Sequence, residues 1–309
     1  MPDSRSCGLE VPTTQRDCER MLALTFRTMG TVVSLRLHSV GVGNGVAMGL
    51  AAHGPSDAAR LVESAFARWD EQFSLYRKDS ELSRVGRGEI RLIDASEGLR
   101  NCYALALHWR DQTLGVFTPH RADGVIDLSG VVKALAIAEA GSALSARGLT
   151  NWSINAGGDV LVSGEPQVRL ENRNSANASS PTGHGVVAPT AGAVDPEWVV
   201  AIVNPADRGD VIASVPLGQP HRAVATSGSA ERGEHIWTPH NGEASPFRQV
   251  SVFAADIVTA DVLATAIVAG GEAALHDLTE RFAIDVLVVL RDGQLLATPG
   301  LRRTGGVGS

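Results

Sequence analysis

Strand-like and helix-like segments follow one another along this chain without a regular βαβ repeat, and this irregular order limits the folds that are possible. Alternating, β-branched residues predict a half-buried strand from Met21 in LALTFRTMGTVVSLRL, and shorter strands in EWVVAIVNP, SVPL, RAVATSG and QVSVFAA. Helical spacing predicts helices in SDAARLVESAFARWDEQF, after an N-cap at Ser56, and in VVKALAIAEAGSALSARG, which ends at Gly148. The mixture favours an α+β fold, with mixed or antiparallel sheets and packed helices, over a doubly wound parallel sheet.

Turn residues define the remaining elements. NWSINAGGDVLVSG predicts a strand, a glycine turn and a second strand, and IDVLVVLRDGQLLATPG predicts a hairpin that turns at Asp292-Gly293. TADVLATAIVAGG predicts one further helix. The helix that begins near Ser56 should bring Phe73–Tyr76 to its far end.

The chain has 309 residues, of which 44% are hydrophobic, enough to bury one large core or two fused smaller ones. We predict a single domain over residues 21–303. Residues 1–20 are predicted to be a disordered tail, and residues 304–309 a flexible C-terminal tail. The segment 171–195 is rich in Asn, Ser, Pro, Gly and Ala and holds too little apolar surface to offset the entropy cost of ordering, so we predict a disordered surface insertion there.

Composition restricts the partners and the location. The formal net charge of −7 leaves no basic face large enough to bind a polyanion, so no nucleic-acid partner is expected. The three cysteines, Cys7, Cys18 and Cys102, fit neither a disulfide framework nor a zinc site, and the expected location is a reducing cytoplasm. No stretch approaches the length of a membrane span, and the first twenty residues lack the apolar core of a signal peptide, so no membrane insertion is expected.

Asp261 and Thr265 stand four residues apart in TADVLATA, and therefore on one helix face. A carboxylate beside a hydroxyl is a suitable ligand pair for Mg²⁺, which takes oxygen ligands and often shares its coordination sphere with substrate phosphates. The alternative is structural, because an Asp in a first helical turn commonly interacts with the helix dipole. The spacing alone leaves both interpretations open.

Two segments of small residues are candidate anion sites. The NAGGD run, Asn155–Asp159, would let backbone N–H groups approach a phosphate or a flavin ring, although a simple hairpin turn explains it equally well. In ATSGSAERGEHI, Thr226–Gly228 form a candidate anion cradle, with Arg232 and His235 close behind it. His235 is a candidate base because imidazole titrates near neutral pH, and a structural histidine is the alternative.

A third candidate is IDLSGVVKA, which Asp127 and Lys133 flank. There a strand end passes through Ser129-Gly130 into a helix, a geometry that exposes N–H groups to an anion. Lys133 is equally consistent with a solvated surface lysine. The sequence contains no P-loop, dinucleotide fingerprint or Ser-His-Asp order, so a nucleotide-driven motor and a Rossmann dehydrogenase both lose support.

Taken in their order along the chain, these motifs resemble those of the ApbE family of FAD:protein FMN transferases: TMGT, FSLYRKDSELSRV, IDLSGVVKA, NAGGD, ATSG with ERGEHI, and TADVLATA. The likeness runs from near Thr25 to near Gly271 and into the closing hairpin. It implies a single ApbE-like, T-fold-like catalytic domain that binds FAD as donor, Mg²⁺ as cofactor and a flavoprotein as acceptor. The implied reaction attaches FMN to a Thr or Ser hydroxyl of the acceptor and releases AMP.

The resemblance also implies which residues form the site. Metal contacts are implied at Asp261 and Thr265, with backbone oxygens at Gly130 and Ala264. His235 and Lys133 are the implied catalytic residues. The implied FAD contacts are Met29, Tyr76, Val116, Phe117, Thr118, Asp127, Lys133 and Trp237.

The sequence departs from the family pattern at three places. Ala134 follows Lys133 where the family usually has Gly, Thr118 stands where an Asp is common, and HIWTPHNG replaces the usual HI-x-DP-x-TG. Two alternatives therefore stay open. One is an FAD pyrophosphatase, in which water replaces the acceptor hydroxyl and the products are FMN and AMP. The other is an FAD-binding protein without turnover.

Overall fold

An eight-stranded antiparallel sheet is central to the structure, a computed structural model that describes residues 21–38, 55–164, 186–187, 198–228 and 245–303. Within those residues the strands are β1 (Met21–Thr28), β2 (Thr31–His38), β3 (Trp152–Ala156), β4 (Asp159–Ser163), β5 (Val186–Val187), β6 (Trp198–Val203), β7 (Val211–Leu217), β8 (Ala223–Gly228), β9 (Phe247–Ala254), β10 (Asp285–Leu290) and β11 (Leu295–Ala297). The large sheet has the order β1-β2-β3-β4-β8-β9-β10-β11, and β5-β6-β7 form a small antiparallel sheet.

Helices accompany this sheet, which confirms the predicted α+β class. They are α1 (Pro55–Phe73), α2 (Glu81–Gly86), a 3₁₀ turn at Leu92–Asp94, α3 (Glu97–Gln112), α4 (Ser129–Ala146), α5 (Ile257–Arg281) and α6 (Pro299–Arg303). Helix α5 packs across β8 and β9, and α4 packs between α1 and α5. The N-terminal half of α5 and the first turns of α4 are therefore brought together against the sheet.

The large sheet is buried on both faces over its central strands. Leu161 of β4 and Val252 of β9 belong to the main core beneath the helices. Their neighbours Val160 and Phe253 belong to a second core shared with the small sheet. Because successive side chains of a strand point to opposite faces, each of these strands serves two cores.

Helix α5, with 25 residues, is long and apolar enough to cross a membrane by length and composition alone. The expectation that no stretch approaches a membrane-spanning length did not count this segment as one helix, and Gly271 breaks the helix with a non-helical φ and ψ. Most of its apolar stretch is buried inside the protein. Helix α5 packs against β8, β9 and α4, which identifies it as a core helix of the fold.

Gly271 interrupts α5 with a φ of 63° and a ψ of −148°, a backbone conformation that is essentially restricted to glycine. A Cβ there would meet Pro246 at 3.4 Å, an ordinary contact, so the cost of a side chain is backbone strain rather than a clash. We expect Gly271→Ala to lower the free energy of unfolding by about 1–3 kcal/mol in chemical denaturation.

Gly86, the last residue of α2, is the matched control for this substitution. Its φ is not in the left-handed region, and a Cβ built there meets nothing within 4 Å. Gly86→Ala should leave stability unchanged or raise it by up to about 1 kcal/mol. Equal stability of the two variants would show that the break at Gly271 is not strained.

Most elements predicted from the sequence occur in the structure. The NAGGD run joins β3 to β4, the ATSG run ends β8, the chain leaves α1 at Phe73, and the closing hairpin forms β10 and β11. The long run from Met21 is wrong as a single strand, because it folds into two strands around Met29-Gly30. Helix α1 begins at Pro55, so Ser56 lies inside it.

Three predictions concern segments that are largely outside the described residues. These are the two tails, 1–20 and 304–309, and most of the segment 171–195. Within that segment Val186–Val187 form β5 and pair antiparallel with Val199 and Val200 of β6.

Candidate functional site

Turns and strand ends gather at one end of the large sheet. The β1–β2 turn at Met29-Gly30 lies beside the β3–β4 turn, because Gly157 N–H donates to the carbonyl of Val32 at 3.1 Å. Gly157 has a φ of +65°, and a Cβ there would collide with Thr31. Only glycine therefore allows this close approach.

Lys133 lies between two buried carboxylates at this end of the sheet. Its Nζ forms an ion pair with Oδ2 of Asp159 and is 3.8 Å from Oδ1 of Asp261. The three side chains come from α4, from the first residue of β4 and from the second turn of α5. Their exposed fractions are 13% for Lys133, 0% for Asp159 and 5% for Asp261. Lys133 is therefore a partner in a buried charge cluster and not a solvated surface lysine.

The end of β8 joins this cluster to α5. Thr226 N–H donates to Oδ1 of Asp159 at 3.1 Å. The Ser227 hydroxyl lies 3.2 Å from the hydroxyl of Thr265. The Asp261–Thr265 face of α5, the ATSG run and the NAGGD run are thus parts of one site, which their separation in the sequence does not reveal.

The donor set of this site fits a hard cation. Two carboxylates and one ammonium carry a formal charge of −1 in a buried environment, and the neighbouring side chains offer hydroxyl oxygens. Among the described residues no group of three or more His, Cys, Asp or Glu could hold a metal ion. A cation here would therefore depend on Asp261 with neutral oxygens and a ligand's phosphates, a sphere that is usual for Mg²⁺ and unusual for zinc.

The backbone oxygens implied as further metal contacts belong to residues within helices. Gly130 is the second residue of α4, and Ala264 is buried in α5 between Asp261 and Thr265. A carbonyl has two lone pairs, so one that accepts a helical N–H can still bind a second partner.

The segment implied to contact the flavin is packed through two glycines. The ring of Phe117 leaves no room for a side chain at Gly130, where a Cβ would be 2.7 Å from Cε2 of Phe117. A Cβ at Gly270 would likewise lie 2.8 Å from Cγ1 of Val116. Thr118 is exposed and accepts a hydrogen bond from His120 N–H at 3.2 Å. The flavin-contact segment is thereby packed against the start of α4 and against the middle of α5, next to its break at Gly271.

Three backbone N–H groups at the start of α4 are hydrogen-bonded within the chain. The sequence predicts backbone N–H groups open to an anion at Ser129-Gly130, but Oδ1 of Asp127 accepts the N–H of Ser129 at 2.9 Å. The N–H groups of Val131 and Val132 donate to the carbonyl of Leu128. The carboxylate of Asp127 therefore lies at the start of α4. The positive charge nearest to the site comes from the side chain of Lys133.

The other implied flavin contacts are spread more widely. Met29 has a φ of 50° in the β1–β2 turn and packs against the main core. Tyr76 follows α1, and its side chain is 98% exposed. His235 and Trp237 lie outside the described residues.

Asp159 is the functional candidate that the site analysis of the sequence missed. NAGGD was interpreted as a backbone loop for a ligand, and no role was assigned to its acidic residue. The available signal was a carboxylate directly after a glycine pair and before the buried run VLV. Cys102 is not suited to act as a nucleophile, because burial raises the pKa of its thiol to about 12 and keeps it protonated at neutral pH.

A small cavity also adjoins the NAGGD turn, between the two sheets. Its lining includes Gly158, Thr226 and Gln249 beside the backbone of β6. The charged cluster of Lys133, Asp159 and Asp261 does not line it. The cavity therefore shares Gly158 and Thr226 with the candidate site but none of its three charged side chains.

The fold and the site together define an α+β protein with a buried cluster of one lysine and two carboxylates at one end of an antiparallel sheet. Residues 29–123 and 118–288 match the family model described as "ApbE family", and the chain belongs to that family. The resemblance found in the sequence is thereby confirmed. No curated protein matches the chain.

Three solved structures share the fold at 20% sequence identity. The flavin transferase ApbE from Vibrio cholerae has a TM-score of 0.66, with 93% of this chain and 99% of that chain covered. The apbe protein from Thermotoga maritima has a TM-score of 0.67, with 92% and 99% covered. The Pseudomonas stutzeri flavinyl transferase ApbE, in its apo form, has a TM-score of 0.68, with 96% and 100% covered.

Proposed function

We propose that this protein is an FAD:protein FMN transferase that attaches FMN to a Thr or Ser hydroxyl of an acceptor flavoprotein. The observation that carries the proposal is the convergence of Lys133, Asp159 and Asp261 beside the Ser227 and Thr265 hydroxyls. Membership of the ApbE family and the names of the similar structures support the same reaction class.

Asp261 and Thr265 are the side chains that would hold Mg²⁺, with backbone oxygens of Gly130 and Ala264. When bound, the cation supplies charge neutralisation to the phosphates of the donor. Asp261 is buried, so its carboxylate needs a nearby positive charge, and Lys133 lies within 4 Å of it.

The chemistry is a phosphoryl transfer that depends on positioning and charge. The acceptor oxygen forms a bond to the FMN phosphorus, the pyrophosphate P–O bond breaks, and AMP leaves. Lys133 would neutralise charge on the phosphate oxygens, and His235 would take the proton of the acceptor hydroxyl. No covalent intermediate with this chain is needed.

Mass spectrometry of a candidate acceptor tests the proposal. After incubation with this protein, FAD and Mg²⁺, the acceptor should gain the mass of one FMN, and one AMP should appear for each FMN attached. A chelator added before FAD should prevent the gain, because the site offers Asp261 as its charged metal ligand. An acceptor whose acceptor hydroxyl residue is changed to Ala is the control.

Two other outcomes would replace the proposed function. Rapid release of free FMN and AMP without an acceptor would identify an FAD pyrophosphatase. Unchanged FAD after long incubation with a cognate acceptor would identify an FAD-binding protein without turnover.

A further inference from the structure

We infer that Asp159 is a positioning residue, which fixes the ammonium group of Lys133 and thereby sets how the site holds the FAD pyrophosphate. The inference deepens the function proposed above and rests on it. It concerns a residue that neither the metal set nor the flavin contacts include.

Asp159 is unsuited to bind a ligand itself. Its side chain is fully buried, Oδ1 accepts the N–H of Thr226 at 3.1 Å, and Oδ2 is paired with Lys133. A metal ligand or a general base must reach the reacting groups. Asp159 can therefore influence the reaction only through the groups that it contacts.

Lys133 needs such a partner because its ammonium group ends a flexible chain of four methylenes. Of the two neighbouring carboxylates, Asp159 makes the closer contact, and Asp261 is 3.8 Å away. Asp261 is also the proposed charged ligand of the cation. Asp159 is thus the carboxylate that is committed to holding the lysine.

The backbone before Asp159 directs its side chain toward Lys133. Gly157 and Gly158 have φ values of +65° and +101°, which turn the chain so that Asp159 begins β4. Leu161, two residues later, belongs to the core beneath the helices, so Asp159 points to the same face, where α4 carries Lys133. Its bond to Thr226 then ties the lysine to β8 as well.

A double-mutant cycle with Asp159→Asn and Lys133→Met tests this role. The asparagine keeps the shape and an acceptor for the Thr226 N–H, and removes only the charge that holds the lysine. With wild-type Lys133, Asp159→Asn should weaken FAD binding and slow single-turnover FMN transfer by about tenfold each. In the Lys133→Met background the same change should alter FAD affinity and the transfer rate less than about twofold, because the ammonium group through which Asp159 acts is absent.

Ser251→Ala is the matched control, since it removes a buried hydroxyl that lies 2.8 Å from the Thr226 hydroxyl but leaves the ion pair intact. It should change FAD affinity less than about twofold. The inference is overturned if Asp159→Asn costs as much without Lys133 as with it, or if Ser251→Ala has the same effect as Asp159→Asn. Wild-type protein that binds FAD but transfers no FMN would overturn the proposed function, while the affinity cycle would still decide the role of Asp159.

Discussion

Asp261→Ala should abolish magnesium-dependent FMN transfer, lowering the single-turnover rate by about a thousandfold or more. Asp261 is the only charged residue among the proposed metal contacts, so its loss leaves Mg²⁺ with neutral oxygens and phosphate alone. The residual rate should no longer respond to Mg²⁺. The measurement is the transfer rate at saturating FAD over a titration of Mg²⁺.

The fold should survive this substitution, because Lys133 keeps its ion pair with Asp159. Asp256→Ala is a matched control at the start of the same helix. Oδ1 of Asp256 accepts the N–H of Thr259 at 2.9 Å, so this variant should lose about 1 kcal/mol of stability as a lost N-cap and keep its transfer rate. Full magnesium-dependent activity in Asp261→Ala would remove Asp261 from the metal site.

Local spacing made part of the site predictable. Asp261 and Thr265 are one helical turn apart, and the structure places them on the face that meets β8. The spacing could not identify which strand or which lysine this face would meet. Those contacts join α4, β4 and α5, and long-range pairings of that kind leave no periodic signal in the sequence.

The errors have equally local causes. Met29 adopts a positive φ in a hairpin turn, although such turns usually carry Asn, Asp or Gly, so the run from Met21 has the appearance of one strand. At the predicted anion site of Ser129-Gly130, Asp127, a residue of the same motif, accepts the N–H of Ser129. A carboxylate of the chain and a bound phosphate would compete for such an N–H group.

Helix α3 was overlooked although its signals are present. Ser96 accepts the N–H of Leu99 at 3.2 Å as an N-cap, and the buried residues Leu99, Cys102, Ala106 and Trp109 follow at helical spacing.

Ala134, which stands where the family usually has Gly, lies within a helix. That residue is fully buried in α4 beside Lys133, where alanine favours the helix more than glycine does.

His235→Asn should lower the rate of FMN transfer by about a hundredfold, while FAD affinity stays within a few fold. The expectation follows from the sequence, because His235 lies outside the described residues. If its imidazole takes the proton of the acceptor hydroxyl, asparagine keeps the size and polarity of the side chain but cannot accept that proton at neutral pH. Binding and chemistry should therefore separate, which single-turnover transfer measured beside flavin fluorescence quenching would reveal.

A structural role for His235 gives the opposite pattern. If the ring is a core side chain bonded to the backbone, the substitution should reduce stability and FAD binding together, with little change in turnover per bound FAD. His240, five residues further along the same segment, provides the matched control, and His240→Asn should leave the rate unchanged. An unimpaired rate per bound FAD in His235→Asn would show that another group, or the solvent, takes the proton, and the polarisation of the acceptor hydroxyl would then account for the attack.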